Sequence, residues 1–179
     1  MKFVAVYCGS SPGNDPRYVP LARAFGEALG GAGLGLIYGG GQIGLMGALA
    51  EGVFVAGGTV VGVIPDFLLA KEAARADSRV DLRIVGSMHE RKAVYYSLAG
   101  AFVALPGGIG TFEEIFEVLA WTKLGLVNAP IVLLDDGGFF DPLLALLDGA
   151  VAAGFLSPAN RALAFAERTI EGTIARCSP

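Results

Sequence analysis

Cysteine, histidine and charge are all scarce in this 179-residue chain. The two cysteines, Cys8 and Cys177, stand at opposite ends, which excludes a disulfide framework and a CxxC metal knuckle. His89 is the sole histidine. Histidine-cluster metal sites are therefore excluded, and the segment His89-Glu90-Arg91-Lys92 is not an HExxH zinc motif because the second histidine is missing. A triad built on histidine is equally disfavoured. Charged residues make up 17% and the net charge is −4, with no basic run. Such a chain is poorly suited to nucleic acid, whose binding draws on clustered Lys and Arg. No apolar run reaches the ~18 residues of a membrane span. The longest candidate, Gly52 to Ile64, is short and interrupted by glycines. The apolar stretch Phe3 to Cys8 is too short for a signal peptide, so a cytoplasmic location is expected. There is no GxxxxGK[ST] phosphate loop.

What is abundant is apolar surface and glycine. Hydrophobic residues contribute 54% and glycines number 27, together about 69% of the chain against a usual ~45–50%. Disorder is excluded by that composition. The length suits a single domain spanning 1–179.

Short, nearly continuous hydrophobic runs alternate with longer helical patterns. The strand candidates are Lys2–Cys8, Leu34–Tyr38, Thr59–Ile64, Leu82–Val85, Ala101–Leu105, Ile131–Leu134 and Leu163–Phe165. Runs of this type mark parallel strands covered on both faces. Helix starts are expected at Asp15 with Pro16 behind it, near Gly44, at Ser87, at Thr111, near Asp141 and at Thr169. Glycines at 30, 31, 33, 57 and 58 mark helix ends. The alternation predicts an α/β fold, a Rossmann-like doubly wound parallel sheet of about seven strands flanked by helices. Segment 67–81 is the least regular. Ligands in such folds bind outside the carboxyl ends of the strands.

Three motifs fall at those ends. Pro106-Gly107-Gly108-Ile109-Gly110-Thr111-Phe112-Glu113-Glu114 follows a strand and runs into a helix. Glycines there admit close backbone approach, and a helix N-terminus offers free N–H groups to an anion such as phosphate. Thr111 and Glu114 also fit a T-x-x-E capping box. Glu113 and Glu117 are a like-charged i,i+4 pair, mildly unfavourable on a helix. The second motif is Ser87-Met88-His89-Glu90-Arg91-Lys92. Ser87 and Glu90 form a capping box, which puts Arg91 and Lys92 at the positive end of a helix dipole. An anion is expected to offset them, either a carboxylate or a substrate phosphate. The third, Gly39-Gly40-Gly41-Gln42-Ile43-Gly44, matches G-x-G-x-x-G, with Asp66 22 residues after Gly44. It lies in the second βα unit rather than the first, and 179 residues leave no separate substrate domain, so an NAD-dependent oxidoreductase is the weaker reading. Asp135, Asp136 and Asp141 read as a polar turn into a helix rather than a cation site.

These residues resemble the LONELY GUY (LOG) family, formerly called lysine decarboxylase-like. PGGIGTFEE at 106–114 resembles the PGGxGTxxE motif of that family, and MHERKA at 88–93 matches its companion. CGSS at 8–11 and GGGQIGLMG at 39–47 are similar to further family elements. The likeness runs from Cys8 to Trp121 and more loosely to the C-terminus. It implies a Rossmann-like homodimer without cofactor or metal. It implies a hydrolase of the N-glycosidic bond of cytokinin riboside 5′-monophosphates, and of AMP, that releases free base and ribose 5-phosphate. Arg91 and Glu114 match the family's essential pair. Lys92, Gly108, Ile109, Gly110, Thr111, Phe112 and Glu113 match its substrate-binding positions, and Glu72 matches a further ligand contact. Ala120 stands where plant relatives carry threonine, and Ala99-Gly100 where Ser-Asp is usual. A non-catalytic nucleotide carrier resembling molybdenum-cofactor carrier proteins is the competing class. The Arg91–Glu114 pair argues against it.

Overall fold

The computed structural model describes residues 2–69 and 77–178. It contains one seven-stranded sheet, all parallel, whose order β4-β3-β2-β1-β5-β6-β7 reverses direction of winding at β1. The strands are β1 (Phe3–Tyr7), β2 (Gly35–Tyr38), β3 (Val60–Pro65), β4 (Asp81–Val85), β5 (Ala99–Ala104), β6 (Ile131–Leu134) and β7 (Phe165–Glu167). The helices are α1 (Tyr18–Gly31), α2 (Gly44–Val55), α3 (Met88–Leu98), α4 (Ile109–Lys123), α5 (Asp141–Ala152), α6 (Pro158–Arg161) and α7 (Ile170–Cys177). This is the expected doubly wound α/β fold.

Central strands β1, β2, β3 and β6 are buried along nearly their whole length, which is why they read as unbroken apolar runs. One core layer packs Val4, Val6, Leu36 and Val103 against Phe25 and Leu29 of α1 and Leu49 and Val53 of α2. The opposite layer packs Ala5, Ile37, Val61 and Phe102 against Tyr95 of α3 and Val118 of α4. Edge strand β4 departs from the pattern: three of its five residues are exposed, because only β3 covers it on one side.

Other boundaries moved for local reasons. Helix α1 starts at Tyr18, not Asp15. The Asp15 carboxylate accepts the Arg17 N–H at 2.9 Å and pairs with the Arg17 guanidinium, while the Tyr18 N–H reaches the Asp15 carbonyl at 3.2 Å. Asp15 thus closes a turn before the helix. Strand β7 begins at Phe165 because Leu163 and Ala164 complete turns off α6, bonding back to Asn160 and Arg161. Helix α4 opens at Ile109 with Gly108 as its cap. Ser87 and Thr169 do cap α3 and α7, accepting the N–H of Glu90 and Gly172.

Helices α1 and α2 cross at glycine. A Cβ at Gly52 would meet the Arg23 carbonyl oxygen, and one at Gly26 the Leu49 carbonyl oxygen. The two backbones touch there, so added volume has to push the helices apart. Gly52→Val should lower stability by about 1–3 kcal/mol, the usual cost of overpacking. Thermal unfolding would read this as a clear fall in Tm, and an unchanged Tm would contradict the close crossing.

Candidate active site

The winding reversal puts the carboxyl ends of β1 and β5 side by side, the place where doubly wound sheets form a ligand crevice. The Gly9 N–H bonds to the Pro106 carbonyl at 3.1 Å and ties the two loops together. A cavity of about 340 Å³ opens there, within the range of small-molecule sites. Its wall combines Cys8-Gly9-Ser10 after β1, Gly39 after β2, Met88, Arg91 and Tyr95 of α3, and Gly108 to Thr111, Glu113 and Glu114 of α4. All three sequence motifs therefore meet at one place.

The floor is the start of α4. Its first N–H groups, at Ile109, Gly110 and Thr111, precede the first intrahelical bond, which runs from the Phe112 N–H to the Gly108 carbonyl at 3.0 Å. Such groups carry the positive end of the helix dipole and suit a phosphate. The expected Thr111–Glu114 capping box does not form. Thr111 is buried within the first turn, tucked under Gly107, where a Cβ would strike its hydroxyl. Glu114 is released from capping and lines the cavity.

Arg91 is 8% exposed. Its Nε donates to the Tyr95 hydroxyl at 2.9 Å, and its Nη2 lies 3.8 Å from Glu114 Oε1. Gly39 makes room for the guanidinium, since a Cβ there would collide with Nη2. Burial, and then the charge of Glu114, push the Tyr7 phenol and the Cys8 thiol well above their ordinary values. Burial does the same to Tyr95, although Arg91 pulls the other way. These three groups are neutral wall, and Arg91 and Glu114 supply the charge beside them.

Lys92 is turned elsewhere. Its ammonium pairs with Glu113 and, at 2.7 Å, with Glu117 Oε2, while the Tyr96 hydroxyl donates to Glu117 Oε1 at 2.7 Å. Burial opposes the charge on Lys92, but the two carboxylates prevail and hold its pKa above the ordinary value. Lys92 thus resolves the like-charge pair on α4, and the anions expected opposite Arg91 and Lys92 are protein carboxylates. The Phe112 side chain packs into a third apolar cluster, with Ile115, Leu133 and Phe140, and stacks on Phe139. Glu72 lies outside the described residues. Asp135 and Asp141 both pair with Arg168, at 2.9 and 2.7 Å, and Asp135 also accepts the Phe140 N–H. Sequence reading overlooked Tyr95 and the steric role of Gly39. The i,i+4 spacing of Arg91 and Tyr95 was the available signal for the first. The second depends on contacts between distant segments.

A family model described as "possible lysine decarboxylase" matches residues 46–177. A cytokinin riboside 5′-monophosphate phosphoribohydrolase of Rhodococcoides fascians is 47% identical over 174 residues, covering 97% of this chain and 88% of that protein. The chain belongs to the LONELY GUY family. A cytokinin riboside 5′-monophosphate phosphoribohydrolase of Arabidopsis thaliana is 42% identical over 160 residues, 89% of this chain and 75% of that protein. Among solved structures, a structural-genomics target at 29% identity superimposes with a TM-score of 0.70 over 98% of this chain and 97% of its own. The molybdenum cofactor carrier protein of Chlamydomonas reinhardtii, at 22% identity and a TM-score of 0.69, covers 98% of this chain and 94% of its own. It shares the fold.

If the α4 N-terminus is an anion site, inorganic phosphate should stabilise the native state. Ligand at 100 times its Kd adds about 2.7 kcal/mol. A Tm that rises in phosphate but not in chloride at equal ionic strength is the expected result, and equal Tm values would exclude anion binding here.

Proposed function

We propose that this LONELY GUY family member hydrolyses the N-glycosidic bond of cytokinin riboside 5′-monophosphates, and of AMP, releasing the free base and ribose 5-phosphate. The observation that carries the reading is the Arg91–Glu114 pair, 3.8 Å apart, facing the same cavity as the open helix N-terminus. Relatives that are 42–49% identical over most of this chain bear the name of that activity.

The chemistry follows from the placement. The 5′-phosphate sits on the N–H groups of Ile109, Gly110 and Thr111, so that binding energy remote from the reacting bond fixes the ribose. Cleavage moves the bonding electron pair from C1′ to the ring nitrogen of the base, which leaves after taking up a proton. Positive charge then grows on the ribose, as in O-glycoside hydrolysis. The Glu114 carboxylate supplies the opposing charge, and Arg91 fixes that carboxylate at the ribose. Water adds to C1′ and loses a proton, completing ribose 5-phosphate. Glu113 borders the site under the hold of Lys92, and Glu72 is a further substrate contact. We assign residues 1–179 to one catalytic domain, working as a cytoplasmic homodimer without cofactor or metal.

A pure nucleotide carrier needs no carboxylate at the sugar, and the carrier proteins of this fold are 20–23% identical, a likeness of architecture. Chromatography of AMP and isopentenyladenosine monophosphate after incubation with the protein separates the readings, because only hydrolysis frees base. Glu114→Gln should lower turnover by about 10²–10⁴-fold while the variant still folds and binds AMP. Adenosine, which lacks the phosphate anchor, should be a poor substrate. Near wild-type turnover in Glu114→Gln, or equal rates on adenosine and AMP, would refute the assignment.

A further inference from the structure

A guanidinium carries five N–H donors in a fixed plane and no acceptor. Buried almost completely, as Arg91 is, its direction is set by the acceptors placed around it. Glu114 lies on its Nη2 side, at ion-pair distance rather than hydrogen-bond distance. The Nε side is held differently. Tyr95, one helical turn along α3, accepts the Nε–H at 2.9 Å. The Tyr95 ring is fixed in turn, 1% exposed and 5.8 Å from the Tyr7 ring within the core layer under the site. On the third side, Gly39 keeps the space that Nη2 fills.

We infer that Tyr95 is a positioning residue, whose hydroxyl locks the Arg91 guanidinium in the plane that aims Nη2 at Glu114. This inference rests on the catalytic reading of the Arg91–Glu114 pair. It adds a residue outside the two motifs and gives the phenol a task that packing does not require. A phenylalanine would fill the same core volume, but it offers the guanidinium no acceptor. The hydroxyl is therefore informative: a buried tyrosine keeps its polar atom where a partner needs it.

Tyr95→Phe removes one oxygen and leaves the ring, so the fold is expected to survive. With AMP, kcat should fall on the order of 10–100-fold, the size of effect that small misplacements of catalytic groups produce. KM should stay within about threefold, because the phosphate anchor on α4 is untouched. The second readout does not need turnover. In ¹⁵N-labelled protein, the Arg91 Nε–H, assigned through Arg91→Lys, should exchange slowly with solvent in the wild type. It should exchange about tenfold faster or more in Tyr95→Phe, as loss of a buried hydrogen bond permits. A kcat close to wild type in the variant would overturn the proposal. So would a wild-type Nε–H that exchanges as fast as that of exposed Arg83, a measurement that stands even where the variant does not fold. Absence of base release by the wild type from any nucleotide would sink the hydrolase reading instead, and the exchange data would still decide whether Tyr95 holds Arg91.

Discussion

A positive charge held almost out of solvent is the constraint on which the rest of this site depends. A guanidinium in a low-dielectric wall is costly unless charge and hydrogen bonds meet it. Here Glu114 of α4, Tyr95 of α3 and the missing side chain of Gly39 after β2 converge on Arg91. Those three residues come from three separate βα units. The cost of burying the charge is thereby tied to the correct docking of α3 and α4 on the sheet. The same arrangement leaves a carboxylate and a guanidinium facing one cavity.

The phosphate anchor proposed at the start of α4 has a different physical basis. An anion there needs no lysine, because the first N–H groups of the helix are free of intrahelical bonds and have the dipole behind them. On that basis the proposed nucleotide site is compatible with a net charge of −4. The basic residue beside the site, Lys92, is turned toward Glu113 and Glu117. Those carboxylates stabilise the cation and are kept from repelling each other.

This chain shares its architecture with molybdenum cofactor carriers, while in sequence it stands far nearer to phosphoribohydrolases. A doubly wound sheet supplies a crevice at its winding reversal whatever the chemistry. The difference has to come from the side chains that line the crevice. In this chain the crevice holds an ion pair of Arg91 and Glu114, with Tyr95 and Gly39 set around the guanidinium.

Much of this was legible in the residues alone. Apolar runs of four to six residues dictated parallel strands, because strands covered on both faces have no polar period. Ser87 and Thr169 marked their helix starts, since the capping hydroxyl and the N–H it accepts lie within one turn. The two motifs marked the stretches 87–92 and 106–114, and the family resemblance they carry pointed within them to Arg91 and Glu114. Two expectations failed within a single turn of chain, and two features required the tertiary structure. Asp15 became a turn residue once Arg17 captured its carboxylate, and Thr111 was drawn under Gly107 instead of capping α4. Lys92 faced two protein carboxylates 21 and 25 positions away in the chain. The grip of Tyr95 and Gly39 on Arg91 was decided last. Local rules reach about one helical turn, whereas the space around a buried guanidinium is defined by segments more than fifty residues apart.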